Sequence, residues 1–258
     1  MVKKRKIICV IQARMNSKRL KGKVLFKLKN KTVLNHIIDR IKLCKDIDLI
    51  VVATTYNSED IKIVNLCKKL SINYYRGKVN DVLSRFYHIG KKYSTDAILR
   101  ITADCPLIDP KIIDKISKGF LSNEFDSFGL LGNFPDGLDA TIYNFSSIKK
   151  AHYNATKKSD REHVGTYIDN NPKKFKIGGL KLYNRKKYYR WTLDEKKDYT
   201  FIKEIYKNLY HNKIFYTNDV FKFIKENPQI EKINSKIVRN EGYLKSILHE
   251  TKKNNKYI

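Results

Sequence analysis

The first 120 residues alternate between short apolar segments rich in β-branched residues and longer segments with apolar residues at helical spacing. A continuous apolar run such as IDLIVVAT is typical of a strand that is covered on both faces. The pattern predicts strands at 6–11, 47–54, 72–76 and 96–102 and helices at 32–44, 58–70, 80–93 and 110–121. We therefore expect an α/β fold with a mixed, mostly parallel sheet and helices on both faces.

The alternation changes after residue 121. Strands are predicted in FDSFGL, LDATIY, KFKIGGLKLY and YYRWTL, and helices in SSIKKAHYNATK, REHVGTYIDNN and DEKKDYTFIKEIYKNLY. We find no repeat, low-complexity linker or clear boundary. The expectation is one domain over 1–258, with a β-rich acceptor or dimerisation subregion at about 122–187 and a peripheral helical C-terminus at about 216–258.

Composition excludes several classes of protein. A chain of 258 residues that is 41% hydrophobic can bury a core, and its four widely spaced cysteines give neither a zinc pattern nor a disulfide framework. No apolar run is long enough to span a bilayer, and the start lacks a signal peptide, so a cytoplasmic protein is expected. The net charge of +28 would suit an anionic partner, but the lysines are spread along the whole chain and mostly indicate solvated faces.

The loop after the first predicted strand is unusually basic. IQARMNSKRLKGK, residues 11–23, contains five cations and no acid. Either the loop binds a polyphosphate, for which Arg and Lys are suited, or it is an ordinary solvated basic loop. It is not a Walker A loop, because Gly22-Lys23-Val24 lacks the upstream glycine and the following Ser or Thr, and no GxGxxG motif is present.

Charged and polar residues follow the other predicted strands as well. In an open α/β sheet, ligands bind beyond the carboxyl ends of the strands, so these residues are expected to converge. Asp104 and Asp194 suit a hard cation such as Mg²⁺, and the alternative for each is a turn or helix-capping role. Thr32, Asn80 and Asp109 are expected to cap the helices predicted at 32–44, 80–93 and 110–121. Ser58, Glu59 and Asp60 are expected to begin the helix at 58–70.

Two segments are candidates for binding a second substrate. PDGLDATIY places Gly137 in a turn and Asp139 at the entry to a strand, and SDREHVGTYI places Asp160, Arg161, Glu162 and His163 at the head of a helix. The acceptor-binding residues that we nominate are Gly137, Asp139, Glu162, His163 and Arg190. Basic residues in this half, Arg161, Arg185 and Arg190, suit a carboxylate or a phosphate on the acceptor.

Taken together, these stretches resemble a known family. IQARMNSKRLKGKVL, DLIVVATT, RGKVNDVLSRFY, ILRITADCPLIDP, PDGLDATIY, DREHVGTYI and RWTLDEKKDY follow the order found in cytidylyltransferases of the spore-coat polysaccharide type, relatives of the CMP-Kdo and CMP-sialate synthetases. The resemblance covers residues 6 to about 200 and extends weakly to NEGYLKS. The chain departs from the family pattern at Asn16, Lys21 and Ala103, where Gly, Pro and Gly are usual.

The resemblance implies a Rossmann-like nucleotide-diphospho-sugar transferase fold and a CTP-dependent reaction in a homodimer. It implies that Arg14, Lys23 and Asp104 are catalytic, and that Asp104 and Asp194 bind Mg²⁺. The expected nucleotide-binding residues are Gln12, Ala13, Arg14, Arg19, Lys23, Thr54, Arg76, Asp81 and Arg100.

The expected function is transfer of CMP from CTP to an anionic sugar or sugar-like acceptor for surface polysaccharide biosynthesis. One alternative is a glycosyltransferase, but its acid pair has only Asp46-Ile47-Asp48 as a candidate, and this precedes a strand. The other is a basic nucleic-acid-binding protein, which the scattered lysines do not favour. The expected partners are therefore CTP and an anionic small molecule, with no nucleic acid.

Overall fold

The structure is a computed structural model and describes residues 4–183 and 189–239. In these residues the strands are β1 (Ile7–Gln12), β2 (Lys27–Leu28), β3 (Lys31–Thr32), β4 (Leu49–Thr55), β5 (Asn73–Gly77), β6 (Ala97–Thr102), β7 (Ser127–Leu130), β8 (Thr141–Asn144) and β9 (Ile177–Leu180). The helices are α1 (Val33–Ile41), α2 (Ile61–Lys69), α3 (Val82–Lys92), α4 (Pro110–Leu121), α5 (Phe145–Asn154), α6 (Lys158–Glu162), α7 (Thr166–Asp169), α8 (Lys196–Leu209), α9 (Thr217–Glu226) and α10 (Pro228–Glu231). Short 3-10 turns occupy Lys23–Leu25 and Ser58–Asp60.

Seven strands form one sheet in the order β5-β4-β1-β6-β8-β7-β9. The first four are mutually parallel, β8 runs antiparallel to both β6 and β7, and β9 is parallel to β7. Strands β2 and β3 pair as a separate small hairpin. The prediction of a mixed, mostly parallel sheet is confirmed.

The sheet has an apolar layer on each face, because successive side chains of a strand point to opposite sides. On β1, Ile7, Cys9 and Ile11 belong to a core cluster that includes residues of α1, α4 and α8. Ile8 and Val10 belong to a second cluster that includes residues of α3, α5 and α7. Helices therefore cover both faces, as the sequence predicts.

Most helix starts in the first half match the predicted caps. Thr32 accepts a hydrogen bond from the Asn35 amide, and Asp109 accepts one from the Lys111 amide at 2.8 Å. The cap of α3 is Asp81, and the prediction of Asn80 is wrong, because it is the Asp81 carboxylate that accepts from the Ser84 amide.

The second half departs further from the predictions. Of the strand predicted at 188–193, Arg190 makes only an isolated bridge with Asp136, and residue 188 lies outside the described residues. The helix predicted in REHVGTYIDNN is two short helices, since Val164 has a φ of 26° and interrupts it. In the predicted C-terminal segment the structure gives α9 and α10, and residues 240–258, including NEGYLKS, lie outside the described part.

In the described ranges, every helix is too short or too polar to cross a bilayer.

The subregion at about 122–187 contains β7, β8 and β9 but also α5, α6 and α7, and its role in acceptor binding or dimerisation stays a prediction.

Candidate active site

Three residues from distant parts of the chain meet at the carboxyl edge of the sheet. The Lys23 Nζ lies 2.6 Å from Asp104 Oδ2 and 2.7 Å from Asp194 Oδ1. Lys23 ends the basic first loop, Asp104 follows β6, and Asp194 precedes α8. The expected convergence of strand-end residues therefore occurs for these three.

Backbone contacts hold the two aspartates together. The Leu193 amide donates to the Asp104 carbonyl at 2.8 Å, and the Trp191 amide donates to the Asp136 carbonyl at 2.7 Å. Gly137 permits this approach, because a Cβ on it would lie 2.6 Å from the Trp191 carbonyl carbon, and its φ of 103° disfavours other residues. The turn at Gly137 thus has a packing role that positions the segment leading to Asp194.

Asp194 is also tied to a buried ion-pair network. Its Oδ2 lies 2.7 Å from Arg19 Nη2 and 3.6 Å from Arg190 Nη2. Arg190 in turn pairs with Asp198 through two bonds of 2.9 Å each, Nε to Oδ1 and Nη2 to Oδ2. Asp198 is fully buried and also accepts from the backbone amides of Asp194 and Glu195.

This network corrects one sequence prediction. The N-cap of α8 is Glu195, with Asp198 completing a capping box, so the alternative role of Asp194 as the cap of this helix is wrong. The Asp194 carboxylate is instead turned towards Lys23 and Arg19.

Charge compensation sets the protonation of the central residues. Burial alone would raise the pKa of Asp104, but the adjacent Lys23 ammonium outweighs it and lowers that pKa to about 2. Burial likewise opposes the charged form of Lys23, and the two carboxylates outweigh it and raise the Lys23 pKa. Lys23 and Asp104 are therefore both charged at neutral pH.

The pKa of Asp136 is shifted in the opposite direction to that of Asp104. Burial, together with the nearby Asp139 carboxylate, raises its pKa to about 7, against the opposing effect of Arg190. Its Oδ2 lies 3.4 Å from Arg190 Nη1. The network therefore contains one carboxylate that gains a proton close to neutral pH.

The arrangement of Asp104 and Asp194 is compatible with Mg²⁺. Two carboxylate oxygens that already share one cation, the Lys23 ammonium, are donors of the type that a hard cation prefers. Within residues 4–183 and 189–239 there is no cluster of three or more His, Cys, Asp or Glu side chains that could hold a metal. Mg²⁺ commonly binds through one or two carboxylates and completes its shell with water and phosphate oxygens, so the two aspartates fit it.

The first loop is fixed by a residue that the sequence does not single out. Asp60 is fully buried, and its Oδ1 accepts from the Met15 amide at 2.7 Å. Its Oδ2 accepts from the amide and the hydroxyl of Thr55. Sequence reasoning assigns Asp60 to an ordinary helix start, since an acid in the first helical turn is common. Its structural role is to join the loop to the end of β4.

The basic side chains of the first loop contact two different groups of acids. Arg19 and Lys23 face Asp194, whereas Arg14 Nη2 lies 3.8 Å from Glu162 Oε1, with both side chains nearly half exposed. Near it, Arg161 pairs with Asp81 and donates to the His152 carbonyl at 2.6 Å. That Arg14, Arg19 and Lys23 bind one triphosphate together stays a prediction.

Other predicted nucleotide-binding residues occupy strand ends. Ala13 donates its amide to the Ala53 carbonyl, and Arg76 donates to the Thr55 carbonyl at 2.8 Å. Among the predicted nucleotide-binding residues, three have a buried polar atom without a hydrogen-bond partner in the described chain: Gln12 Oε1, Thr54 Oγ1 and Arg100 Nε. These three side chains retain capacity for a ligand.

The predicted acceptor residues fall into two groups. Glu162 and His163 lie at the end of α6 near Arg14; the prediction that they begin a helix is wrong. Gly137 donates its amide to Asp139 at 2.9 Å, which makes this pair a local turn on the other side. Arg190 is buried, and Asp198, Asp136 and the Val238 carbonyl accept from it, so we do not retain it as an acceptor residue. Arg185 lies outside the described residues.

Sequence comparisons give consistent relatives. The family model described as cytidylyltransferase matches residues 8–233. An uncharacterized protein of Methanocaldococcus jannaschii is 42% identical over 240 residues, covering 92% of this chain and 98% of that protein. The spore coat polysaccharide biosynthesis protein SpsF of Bacillus subtilis is 30% identical over 229 residues, covering 86% of this chain and 95% of that protein.

Solved structures agree with these relatives. A cytidylyltransferase from Leptospira borgpetersenii has a TM-score of 0.84 and 32% identity, covering 91% of this chain and 100% of that chain. CMP:2-keto-3-deoxy-manno-octonic acid synthetase complexed with CTP has a TM-score of 0.61 and 13% identity, covering 78% of this chain and 98% of that chain. The second likeness concerns the fold alone. The predicted nucleotide-diphospho-sugar transferase fold is confirmed.

Proposed function

The chain belongs to the cytidylyltransferase family, and on that premise we propose that it transfers CMP from CTP to an anionic sugar or sugar-like acceptor and releases pyrophosphate. The observation that carries the proposal is the meeting of Lys23 with Asp104 and Asp194 at the carboxyl edge of the sheet. A nucleotidyl transfer needs cations for a polyphosphate and carboxylates for a metal in one place, and this cluster contains both.

In the proposed reaction an acceptor oxygen attacks the α-phosphorus of CTP in line, and pyrophosphate leaves. The protein contributes mainly positioning and charge neutralisation to such a step. Lys23 and Arg19 bind the triphosphate and stabilise the negative charge that develops on the leaving pyrophosphate. Asp104 and Asp194 would hold Mg²⁺, which supplies further neutralisation of phosphate oxygens when bound.

The acceptor is proposed to bind beside Arg14, Glu162 and His163. Arg14 can bind a carboxylate or phosphate on the acceptor, because its ion pair with Glu162 is long and partly exposed. Likeness to SpsF supports a role in surface polysaccharide biosynthesis. A cytoplasmic homodimer completes the proposal, and sedimentation and cell fractionation would test these two parts.

The donor can be identified by thermal-shift measurements with Mg²⁺ and each of the four nucleoside triphosphates. A ligand that binds only the folded protein raises the melting temperature by mass action, so we expect CTP to give the largest shift. Equal shifts with all four would argue against a CTP-specific enzyme. Pyrophosphate release would then be assayed with 3-deoxy-manno-octulosonate and with phosphorylated sugars as acceptors.

The decisive variant is Asp104→Asn. We expect pyrophosphate release to fall by a factor on the order of 10²–10³ or more while circular dichroism shows a folded protein. Asp46→Asn is the matched control, because Asp46 precedes β4, far along the strand from the cluster, and belongs to the acid pair that a glycosyltransferase would need. Full activity of Asp104→Asn, or a comparable loss in Asp46→Asn, would contradict the proposal.

A further inference from the structure

Arg85 on α3 is a buried cation that pairs with no acid among the described residues. Its residue surface is 3% exposed, and its Nε has no hydrogen-bond partner. No described residue forms an ion pair with the Arg85 guanidinium. Burying a charged group without a partner is unfavourable, so such a residue in a folded protein calls for an explanation.

The nearby acids do not neutralise Arg85. Asp60 and Asp81 are the carboxylates that act on it electrostatically, while Arg14 repels it. Both oxygens of Asp60 are bonded to Met15 and Thr55. The two oxygens of Asp81 are bonded to the Ser84 amide and to Arg161.

The protonation of Arg85 agrees with this isolation. Burial lowers its pKa to about 10, and the charge of Arg14 acts in the same direction. The guanidinium remains charged at neutral pH.

The other buried arginines in the described ranges donate hydrogen bonds, although Nη2 of Arg40 also lacks a partner. Arg40 donates to the Phe215 carbonyl at 2.8 Å and also to the Ile108 carbonyl, and Arg190 is paired with Asp198. All three are less than one-tenth exposed. Arg85 therefore differs from both, because no described residue accepts a hydrogen bond from its guanidinium.

Further unpartnered polar groups lie on the same face of the sheet. Val10 pairs with Arg100 in the register of β1 and β6, and Gln12 lies two residues beyond Val10. Val10 and Ile98 both belong to the core cluster on the α3 face of the sheet. Because residues two apart on a strand lie on the same face, Gln12 on β1 and Arg100 on β6 also lie on the α3 face. Gln12 Oε1 and Arg100 Nε are buried without partners.

We propose that Arg85, together with Arg14 and Arg100, binds an oxyanion of the substrate on the α3 face of the site, apart from the cluster of Lys23 with Asp104 and Asp194. The inference rests on the proposed function, which supplies two sources of such a group: a phosphate of the nucleotide and the acid group of the acceptor. A guanidinium can bind either with two parallel hydrogen bonds, and the ligand replaces the missing counter-ion.

The test uses Arg85→Met, which keeps an apolar stem in the space beside Gly77 and removes the charge. The ligand-free variant should melt about 2–4 °C above the wild type, because an unpaired buried charge is gone. Calorimetric titration with Mg-CTP, with pyrophosphate and with 3-deoxy-manno-octulosonate then measures binding, and we expect at least a tenfold loss of affinity for one of them. Loss for CTP and pyrophosphate assigns the nucleotide phosphates, and loss for the octulosonate alone assigns the acceptor.

Two further variants keep the result interpretable. Arg40→Met, at an equally buried but hydrogen-bonded arginine, should melt below the wild type and bind all three ligands normally. Arg85→Lys, which keeps the charge but not the planar fork, should fold and lose affinity in the same direction as Arg85→Met.

Two outcomes would overturn the inference: a lower melting temperature for Arg85→Met, or affinities of both Arg85 variants within twofold of the wild type for all three ligands. A wild type that binds pyrophosphate but not CTP contradicts only the proposed function. A wild type that binds none of the three contradicts both.

Discussion

Two regions beside the first loop bury charge in opposite ways. On what we call the carboxylate side, formed by Lys23, Asp104, Asp194, Arg190 and Asp198, every charged group faces an opposite charge. On the arginine side, formed by Arg14, Arg85, Arg100 and Arg161, the guanidinium of Arg85 has no partner in the part of the chain that the structure describes, although it is as buried as Arg190.

The difference teaches which region is complete without a ligand. Breaking one partner of a buried ion pair is costly, so the carboxylate side is expected to contribute to the stability of the protein alone. An unpaired buried cation lowers stability, so the arginine side is expected to gain from a bound anion. The two sides therefore differ in how the ligand-free protein neutralises buried charge: the carboxylate side does so with its own residues, and the arginine side is expected to do so with the anion that we propose to bind there.

The largest effect is expected from Asp198→Asn. Replacing this carboxylate leaves Arg190 buried beside a neutral group, and the free energy of unfolding should fall by about 3–5 kcal/mol. Denaturant titration measures it. Asp219→Asn is the control, because Asp219 holds the same third position of a helix but is exposed at α9, and we expect a loss of at most about 1 kcal/mol. Equal losses of unfolding free energy in the two variants would show that the ion pair between Arg190 and Asp198 does not stabilise the carboxylate side.

The next effect is expected at the boundary between the two sides. Asp60→Asn weakens charged hydrogen bonds to Met15 and Thr55, and should cost about 3 kcal/mol of unfolding free energy in the same titration. Its neighbour Glu59 pairs with Lys21 in an exposed contact, so Glu59→Gln should change stability by less than about 0.5 kcal/mol. An Asp60→Asn variant as stable as Glu59→Gln would show that the loop is held by other contacts.

A pH effect of intermediate size should come from Asp136. Its pKa is about 7 in the folded protein, above the ordinary value of 3.8, so the folded state keeps a proton that the unfolded state loses. The contribution of protonated Asp136 to the free energy of unfolding is thus full below about pH 4 and is lost as the pH rises to 7. Between pH 5 and pH 7.5 the wild type should lose on the order of 2 kcal/mol relative to Asp136→Asn.

Thermal unfolding of both proteins across this range provides the measurement. Asp139→Asn is a useful companion, because the Asp139 carboxylate helps to raise the pKa of Asp136, and its removal should move the transition to lower pH. A difference between wild type and Asp136→Asn that does not vary with pH would mean that Asp136 remains ionised in the folded protein.

The smallest effect is expected from Glu162→Gln on the arginine side. Its contact with Arg14 is 3.8 Å long and nearly half exposed on both sides, so stability should change by less than about 0.5 kcal/mol. Melting curves of the wild type and of Glu162→Gln, recorded at low and at high salt, measure this change in stability. A loss above about 1 kcal/mol would show that the arginine side is also neutralised internally, and the contrast would fail.

The first half of the fold was predictable because its signals are local. Alternating apolar segments mark β1, β4, β5 and β6, whereas the short hairpin of β2 and β3 was not predicted. Residues such as Thr32 and Asp109 mark helix starts through bonds to amides two or three residues away. The segment 188–193 has an equally strong strand pattern. Its pairing depends on the Gly137 turn in a distant part of the chain, and only Arg190 forms a bridge there, which no local pattern indicates.

The same distinction applies to the site. The meeting of Lys23, Asp104 and Asp194 followed from the rule that strand ends converge. Asp60 and Asp198 were missed, since acids in the first turn of a helix are ordinary. Arg85 could have been found, because it falls on the buried stripe of α3 between Val82 and Ile89, where a charged residue is unusual.

The backbone link at Asp104 has a consequence for how the protein is made. The Asp104 carbonyl accepts from the Leu193 amide, and Thr192, 88 residues downstream, also donates to it. During synthesis from the N-terminus, strands β1, β4, β5 and β6 leave the ribosome and can pair long before this partner segment emerges. The cluster of Lys23 with Asp104 and Asp194 can therefore assemble only after residue 194 has emerged, long after the parallel strands that carry Asp104 have been made.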